Sequence, residues 1–136
     1  MQASPKNIQT LGLFGKYGSK DAEHVIERLC TFAKKRGLGV LLEHATAEFM
    51  DKPCAENRPL AAIGKEIDLA IVVGGDGTIL HVTRNLAPQG VPIVGVNLGR
   101  LGFLTDIPTN QMEEELARIL DGDFNIEERI LLEAEI

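Results

Sequence analysis

Gly74-Gly75-Asp76-Gly77-Thr78 sets glycines around a single carboxylate. That grouping suits phosphate chemistry. Glycines let the backbone approach a ligand closely, their N–H groups point outward, and a helix N-terminus favours negative charge. Asp76 sits oddly in such a cradle, because a carboxylate repels the anion that the turn would hold. Two readings stand. Asp76 caps the following helix by accepting backbone N–H bonds. Alternatively, it binds Mg²⁺ or accepts a proton from an attacking hydroxyl during phosphoryl transfer. The neighbouring glycines favour the second reading, since a cap needs none.

Other residues could serve the same chemistry. His81 lies roughly 170° from the buried stripe of the following helix, at ~100° per residue. It therefore faces away from the core in the first turn, where it is either simply exposed or in contact with a ligand. Downstream runs Asn97-Leu98-Gly99-Arg100-Leu101-Gly102-Phe103-Leu104-Thr105-Asp106. Arg100 could contact phosphate and Phe103 could stack on a base, although a loop Phe is also a common core anchor. Lys16, within Gly15-Lys16-Tyr17-Gly18, could reach a phosphate, but loop lysines are usually just solvated. The Walker A spacing is absent.

The elements around these residues follow from periodicity. Residues 69–73 form an unbroken apolar run rich in β-branched side chains. A run that short, bounded by glycines, reads as a strand buried on both faces. Residues 8–14 read as a first strand. Ser19 caps a helix whose Ala22, Val25, Ile26, Leu29, Phe32 and Ala33 share one face, and Gly37 ends it. Residues 39–44 read as a second strand, residues 45–58 as a loop holding one helical turn, and residues 60–67 as a short helix. Ile79, Val82, Thr83 and Leu86 mark the helix after the glycine turn, and residues 91–96 a fourth strand. Asn110 and Glu113 form a capping box for a helix with Met112, Leu116, Ile119 and Leu120 on one face and Gly122 as its stop. Strands alternating with helices predict right-handed βαβ units and a parallel sheet covered by helices. Ligands in such sheets lie beyond the carboxyl ends of the strands, the edge that the glycine turn and the Arg100–Phe103 loop share.

Residues 125–136 change character. Ile126, Ile130, Leu132, Ala134 and Ile136 alternate with more polar positions, the period-2 pattern of a strand in an antiparallel sheet. The expectation is an α/β domain over residues 1–124 and the start of a truncated β-rich domain over residues 125–136.

Composition excludes some classes. A net charge of −6 argues against a nucleic-acid or anionic-membrane surface. No apolar run approaches the ~20 residues of a membrane span, and the N-terminus carries no signal-peptide core. Cys30 and Cys54 belong to no CxxC or metal-spaced group, which predicts reduced thiols in a cytoplasmic protein.

The glycine turn and the Leu101-Gly102-Phe103-Leu104-Thr105-Asp106 loop together resemble the bacterial NAD kinases. The turn alone is shared with diacylglycerol and sphingosine kinases, whereas the pair is far more specific. Glu128-Arg129-Ile130-Leu131-Leu132-Glu133-Ala134 also resembles the family's crossing into its second domain. The resemblance covers the chain from Ile8 but only the N-terminal half of a family member. It implies a Rossmann-like α/β fold, related to phosphofructokinase, lacking the β-rich C-terminal domain. It further implies transfer of the ATP γ-phosphoryl to the 2′-hydroxyl of the adenosine ribose of NAD. Asp76 would take or orient the hydroxyl proton. Gly74, Gly75, Gly77, Thr78 and Arg100 would contact nucleotide, His81 a phosphate, and Phe103 with Leu104 the adenine. Mg²⁺ would bridge the ATP phosphates, and the full-length protein would be a dimer or tetramer. Family members carry an Asn-Glu or Asn-Asp pair in the second domain, and no such pair follows Ile136, so the chain by itself is expected to be nearly inactive. Two rivals remain: a lipid kinase, whose glycine turn usually continues Asn-Glu rather than Ile79-Leu80, and a non-catalytic dinucleotide-binding domain, for which GxGxxG is missing.

Overall fold

The computed structural model describes residues 8–15, 19–98, 106–121 and 130–131. Its centre is β4 (Leu69–Gly74), where every residue is buried. Leu69, Ile71 and Val73 face one side of the sheet, Ala70 and Val72 the other, and each side has its own core. That explains the unbroken apolar run, since neither face of this strand meets water.

Before β4 come β1 (Thr10–Gly15), α1 (Lys20–Lys35), β2 (Gly39–Glu43), α2 (His44–Glu48), β3 (Glu56–Arg58) and α3 (Leu60–Ile63). After it come α4 (Asp76–Leu86), β5 (Ile93–Asn97), β6 (Asp106–Pro108), α5 (Met112–Leu120) and β7 (Ile130–Leu131). The sheet order is β3-β2-β1-β4-β5-β6, all parallel. The sheet thus grows leftward from β1 and then rightward from β4, reversing between these two strands. Asp68 fastens their starts together: its Oδ2 accepts from Gln9 N–H at 2.9 Å and from Thr10 N–H at 3.0 Å.

One face is covered by α1 and α5. The apolar face of α1 carries Ala22, Val25, Ile26, Leu29 and Ala33 into the core, with Met112, Leu116 and Ile119 of α5 beside it. Ser19 caps α1 as its sequence predicts, its Oγ accepting from Ala22 N–H at 3.1 Å. Gly37 follows α1 with φ +75°, the left-handed stop that glycine adopts without strain. The other face is covered by α4, whose Ile79, Val82 and Leu86 pack with Phe14, Ile63 and Ile67.

Several expectations are corrected. Residues 45–58 hold a strand, β3, as well as a helical turn. The turn is α2, which starts at His44, and β2 ends a residue earlier than expected. The capping box is not formed. Gln111 occupies the cap position of α5 without a side-chain bond, and Glu113 instead pairs with Arg28 of α1, with Oε1 2.6 Å from Arg28 Nη2. Cys30 and Cys54 are joined as a disulfide rather than held as separate thiols. Cys30 lies on the buried face of α1, and the segment after α2 returns across that face to bring Cys54 against it. Ile130–Leu131 pairs antiparallel with β5, Ile93 facing Leu131 and Val94 facing Ile130. No helix among the described residues is long and apolar enough to cross a membrane.

Candidate functional site

Because the sheet is parallel, Gly15, Glu43 and Gly74 all lie at the carboxyl ends of their strands. A cleft of about 380 Å³ opens there. Gly15, Glu43 and Ala45 line it together with Gly77, Thr78 and His81 of α4, and with Phe14 and Leu60. The reversal of strand order between β1 and β4 creates such a crevice, since the connections leaving the two strands run in opposite directions.

The turn from β4 into α4 is built for close approach. Gly74 is buried, and a Cβ there would stand 3.0 Å from both Cβ and Oγ1 of Thr78. Packing therefore favours glycine at that position, since a larger residue would push Thr78 aside by a few tenths of an ångström. Gly75 and Gly77 differ: a Cβ on either would meet nothing within 4 Å among the described residues, and neither has a positive φ. Backbone and packing among the described residues do not explain these two glycines, whereas space for a ligand does.

Asp76 is not a cap. Gly75 occupies the cap position of α4, with no side-chain bond, and Asp76 is the first helical residue. The helix dipole favours a carboxylate in that first turn. Its Oδ1 is nevertheless buried with no hydrogen-bond partner among the described residues. A buried, unpartnered carboxylate oxygen is costly, and a hydrogen-bond donor brought to it would remove that cost. The first helical hydrogen bond runs from Ile79 N–H to Gly75 O at 3.1 Å. The amides of Asp76, Gly77 and Thr78 precede it, at the end of a helix that attracts anions.

His81 is exposed on α4 and lines the cleft, one turn further into the helix than its sequence predicts. Asp76 precedes Gly77 and is not among the residues lining the cleft, whereas the carboxylate that does line it, Glu43, is engaged: Oε2 accepts from Ala45 N–H at 2.9 Å and Oε1 from Thr46 N–H at 3.2 Å. Sequence reasoning overlooked Glu43 and Thr46. Capping is usually read from Ser, Thr, Asp or Asn, so a Glu ending a strand gives no signal. Among the described residues no group of three or more His, Cys, Asp or Glu is arranged to hold a metal ion. Arg100, Phe103, Leu104 and Lys16 lie outside the described residues.

This architecture is that of the doubly wound α/β proteins, with a glycine turn delivering a helix N-terminus at the switch of strand order. Residues 11–124 match the family model of the ATP-NAD kinase N-terminal domain. The chain belongs to that family. It is 43% identical over 130 residues to the NAD kinase of Nitrosospira multiformis, spanning 96% of this chain and 44% of that protein. It is 45% identical over 129 residues to the NAD kinase of Shewanella halifaxensis, covering 95% and 41%. The chain thus spans less than half the length of these curated relatives. Among solved structures, yeast NADH kinase complexed with NADH superposes with a TM-score of 0.75 at 20% identity, over 87% of this chain and 39% of that one. At that identity the match speaks for the fold.

Proposed function

We propose that this chain is the α/β half of an NAD kinase that transfers the γ-phosphoryl of ATP to the 2′-hydroxyl of the adenosine ribose of NAD, yielding NADP and ADP. The observation that carries the reading is the buried, unpartnered Oδ1 of Asp76 at the mouth of α4. A ribose hydroxyl is a donor that would satisfy it. In the reaction the 2′-oxygen forms a bond to the γ-phosphorus, the bond to the ADP oxygen breaks, and Asp76 accepts the hydroxyl proton. Phosphoryl transfer asks mainly for positioning and charge stabilisation, which glycine amides and a helix N-terminus provide.

The same reading assigns nucleotide contacts to Gly74, Gly75, Gly77, Thr78 and His81, and to Arg100, Phe103 and Leu104. Mg²⁺ arriving with ATP would supply charge neutralisation on its phosphates. Among the described residues the turn offers such an ion one carboxylate, Asp76, which fits an ion that would be held largely by substrate phosphates and water. The remainder of the site comes from a β-rich domain beginning near residue 125, so the chain by itself turns over little. The complete enzyme is a cytoplasmic dimer or tetramer.

The test is NADP formation from NAD, ATP and Mg²⁺ by the full-length protein and its Asp76→Asn variant. The expected loss is about 10²–10⁴-fold in kcat with an unchanged melting temperature, the usual worth of a positioned acid–base group. A variant that keeps its activity would remove Asp76 from the chemistry. An inactive parent would send the search to lipid hydroxyls as acceptors.

A further inference from the structure

We propose that Cys30 and Cys54 form a reversible thiol switch, opened by a dithiol reductant, that latches the β3 edge of the sheet and with it the α2 wall of the cleft. The proposal goes beyond the kinase reading, and its first test does not need that reading.

The two joined cysteines sit differently. Cys30 is only 3% exposed, on the buried face of α1. Cys54 is half-buried and lines a groove of about 460 Å³ together with Lys34, Leu38 and Glu56. A small thiol therefore meets Cys54 first. Lys34 lies one turn along α1 from Cys30, and its Nζ donates to Cys54 O at 3.4 Å. A neighbouring ammonium favours the thiolate form of a cysteine, so the freed Cys54 is poised to react again. In a reducing compartment, such as the cytoplasm proposed above, a disulfide is usually one that is made and broken as redox conditions change.

Thiol–disulfide exchange supplies the step. A thiolate of the reductant bonds to Cys54 Sγ as the bond to Cys30 Sγ breaks. The electron pair leaves on Cys30, which takes a proton. The second thiol of the reductant then attacks the mixed disulfide at the reductant's own sulfur, and Cys54 departs. The protein pair gains two electrons and two protons, and the dithiol loses them as it closes into a disulfide.

What the bond fastens is otherwise lightly held. β3 starts just past Cys54 and forms the edge of the sheet, pairing with β2 through Glu56, Asn57 and Arg58. Arg58 pairs with Glu56 and Glu66 at the surface, where ion pairs contribute little. α2 carries the change to the cleft. His44 Nδ1 lies 3.0 Å from Asn57 Oδ1 of β3, and Ala45 lines the cleft. Thr46 Oγ1 accepts from Gly15 N–H at 2.9 Å and donates to Glu43 Oε1 at 3.0 Å. A loosened β3 thus reaches residues that line the cleft.

Hydrogen exchange of the full-length protein, oxidised and with dithiothreitol, tests the latch. Reduction is expected to speed amide exchange over residues 44–58 on the order of tenfold, with β1, β4 and β5 changed less than about twofold. Oxidised dithiothreitol should restore the slow rate. Cys54→Ser should exchange fast without reductant and respond no further to it. Brief alkylation of the reduced protein should mark Cys54 before Cys30. NADP formation gives the second readout: reduction should raise the KM for a nucleotide substrate several-fold, and reoxidation should lower it again. An equal rise in exchange over the whole sheet overturns the switch, because the bond then acts on the unfolded chain alone. The absence of any rise overturns it too, as do kinetic constants that stay put while exchange rises. A parent that forms no NADP in either state overturns the kinase reading instead, and the exchange pattern still decides the latch.

Discussion

Gly75 and Gly77 are glycines that neither packing nor backbone geometry demands among the described residues. At the residue scale this separates function from stability. Gly77→Ala should leave the melting temperature unchanged or raise it, because alanine gains up to ~1 kcal/mol in a helix. The same change should lower NADP formation by tenfold or more, because the new methyl occupies space meant for ligand. Paired thermal melts and assays decide it, and a fully active Gly77→Ala would show the space to be idle. Gly74→Ala should behave in the opposite sense. Its methyl runs into Thr78, an overpacking that costs roughly 1–3 kcal/mol, so stability falls first. The sequence displayed Asp76 and its glycines plainly, since they are local and contiguous. It hid the Glu43–Thr46–Gly15 connection, which joins residues far apart in the chain and exists only after β1 and β2 align.

At the scale of elements, what was legible follows the same rule. The centre strand, α1 with its Ser19 cap and the buried face of α4 were readable because apolar spacing and caps are local signals. β3 was not, because Glu56, Asn57 and Arg58 carry no apolar pattern. Such a sequence suits an edge strand, where charge discourages pairing with other chains. The capping box on α5 failed for a long-range reason: Arg28 claims Glu113 from across the α1–α5 interface. The disulfide was invisible for the same reason. It closes a separation of 24 residues, and in the chain-entropy model such a loop stabilises by about 3 kcal/mol. Reductant should therefore lower the unfolding free energy by that amount, read as a lower denaturant midpoint, and Cys54→Ser should match the reduced protein. Identical midpoints with and without reductant would show that the bond constrains nothing.

α2 also carries a pH response. His44 Nδ1 lies 3.0 Å from Asn57 Oδ1 of β3, and Nε2 lies 3.3 Å from Glu48 Oε2. The bond to Asn57 and the charge of Glu48 raise its pKa above 6.5. A raised folded-state pKa means that protonation favours the folded form. The contribution is complete below pH ~6.5 and fades as pH climbs through the raised value. Since His44 is well exposed, the effect is small. Thermal melts across this range should slope less in His44→Gln than in the parent, and an equal slope would assign the dependence elsewhere.

For the molecule as a whole, the decisive feature is that two short strands share one side of β5. β6 pairs with Gly95, Val96 and Asn97, whereas β7 pairs with Ile93 and Val94. Synthesis delivers these tenants at different times. When β5 and β6 have left the ribosome, the first half of that edge still has no neighbour. It must wait for residues 130–131. Over that interval the nascent chain offers bare amides and carbonyls beside a fully buried apolar strand, the kind of surface that recruits other chains or a chaperone. A chain ending at Asp121 would keep that state permanently. It should sediment as aggregates where the chain through Ile136 stays dispersed, and equal dispersion of the two would show that β7 closes nothing. The order in which the ribosome releases the strands, rather than their final arrangement, then sets when this sheet is safe to be left alone.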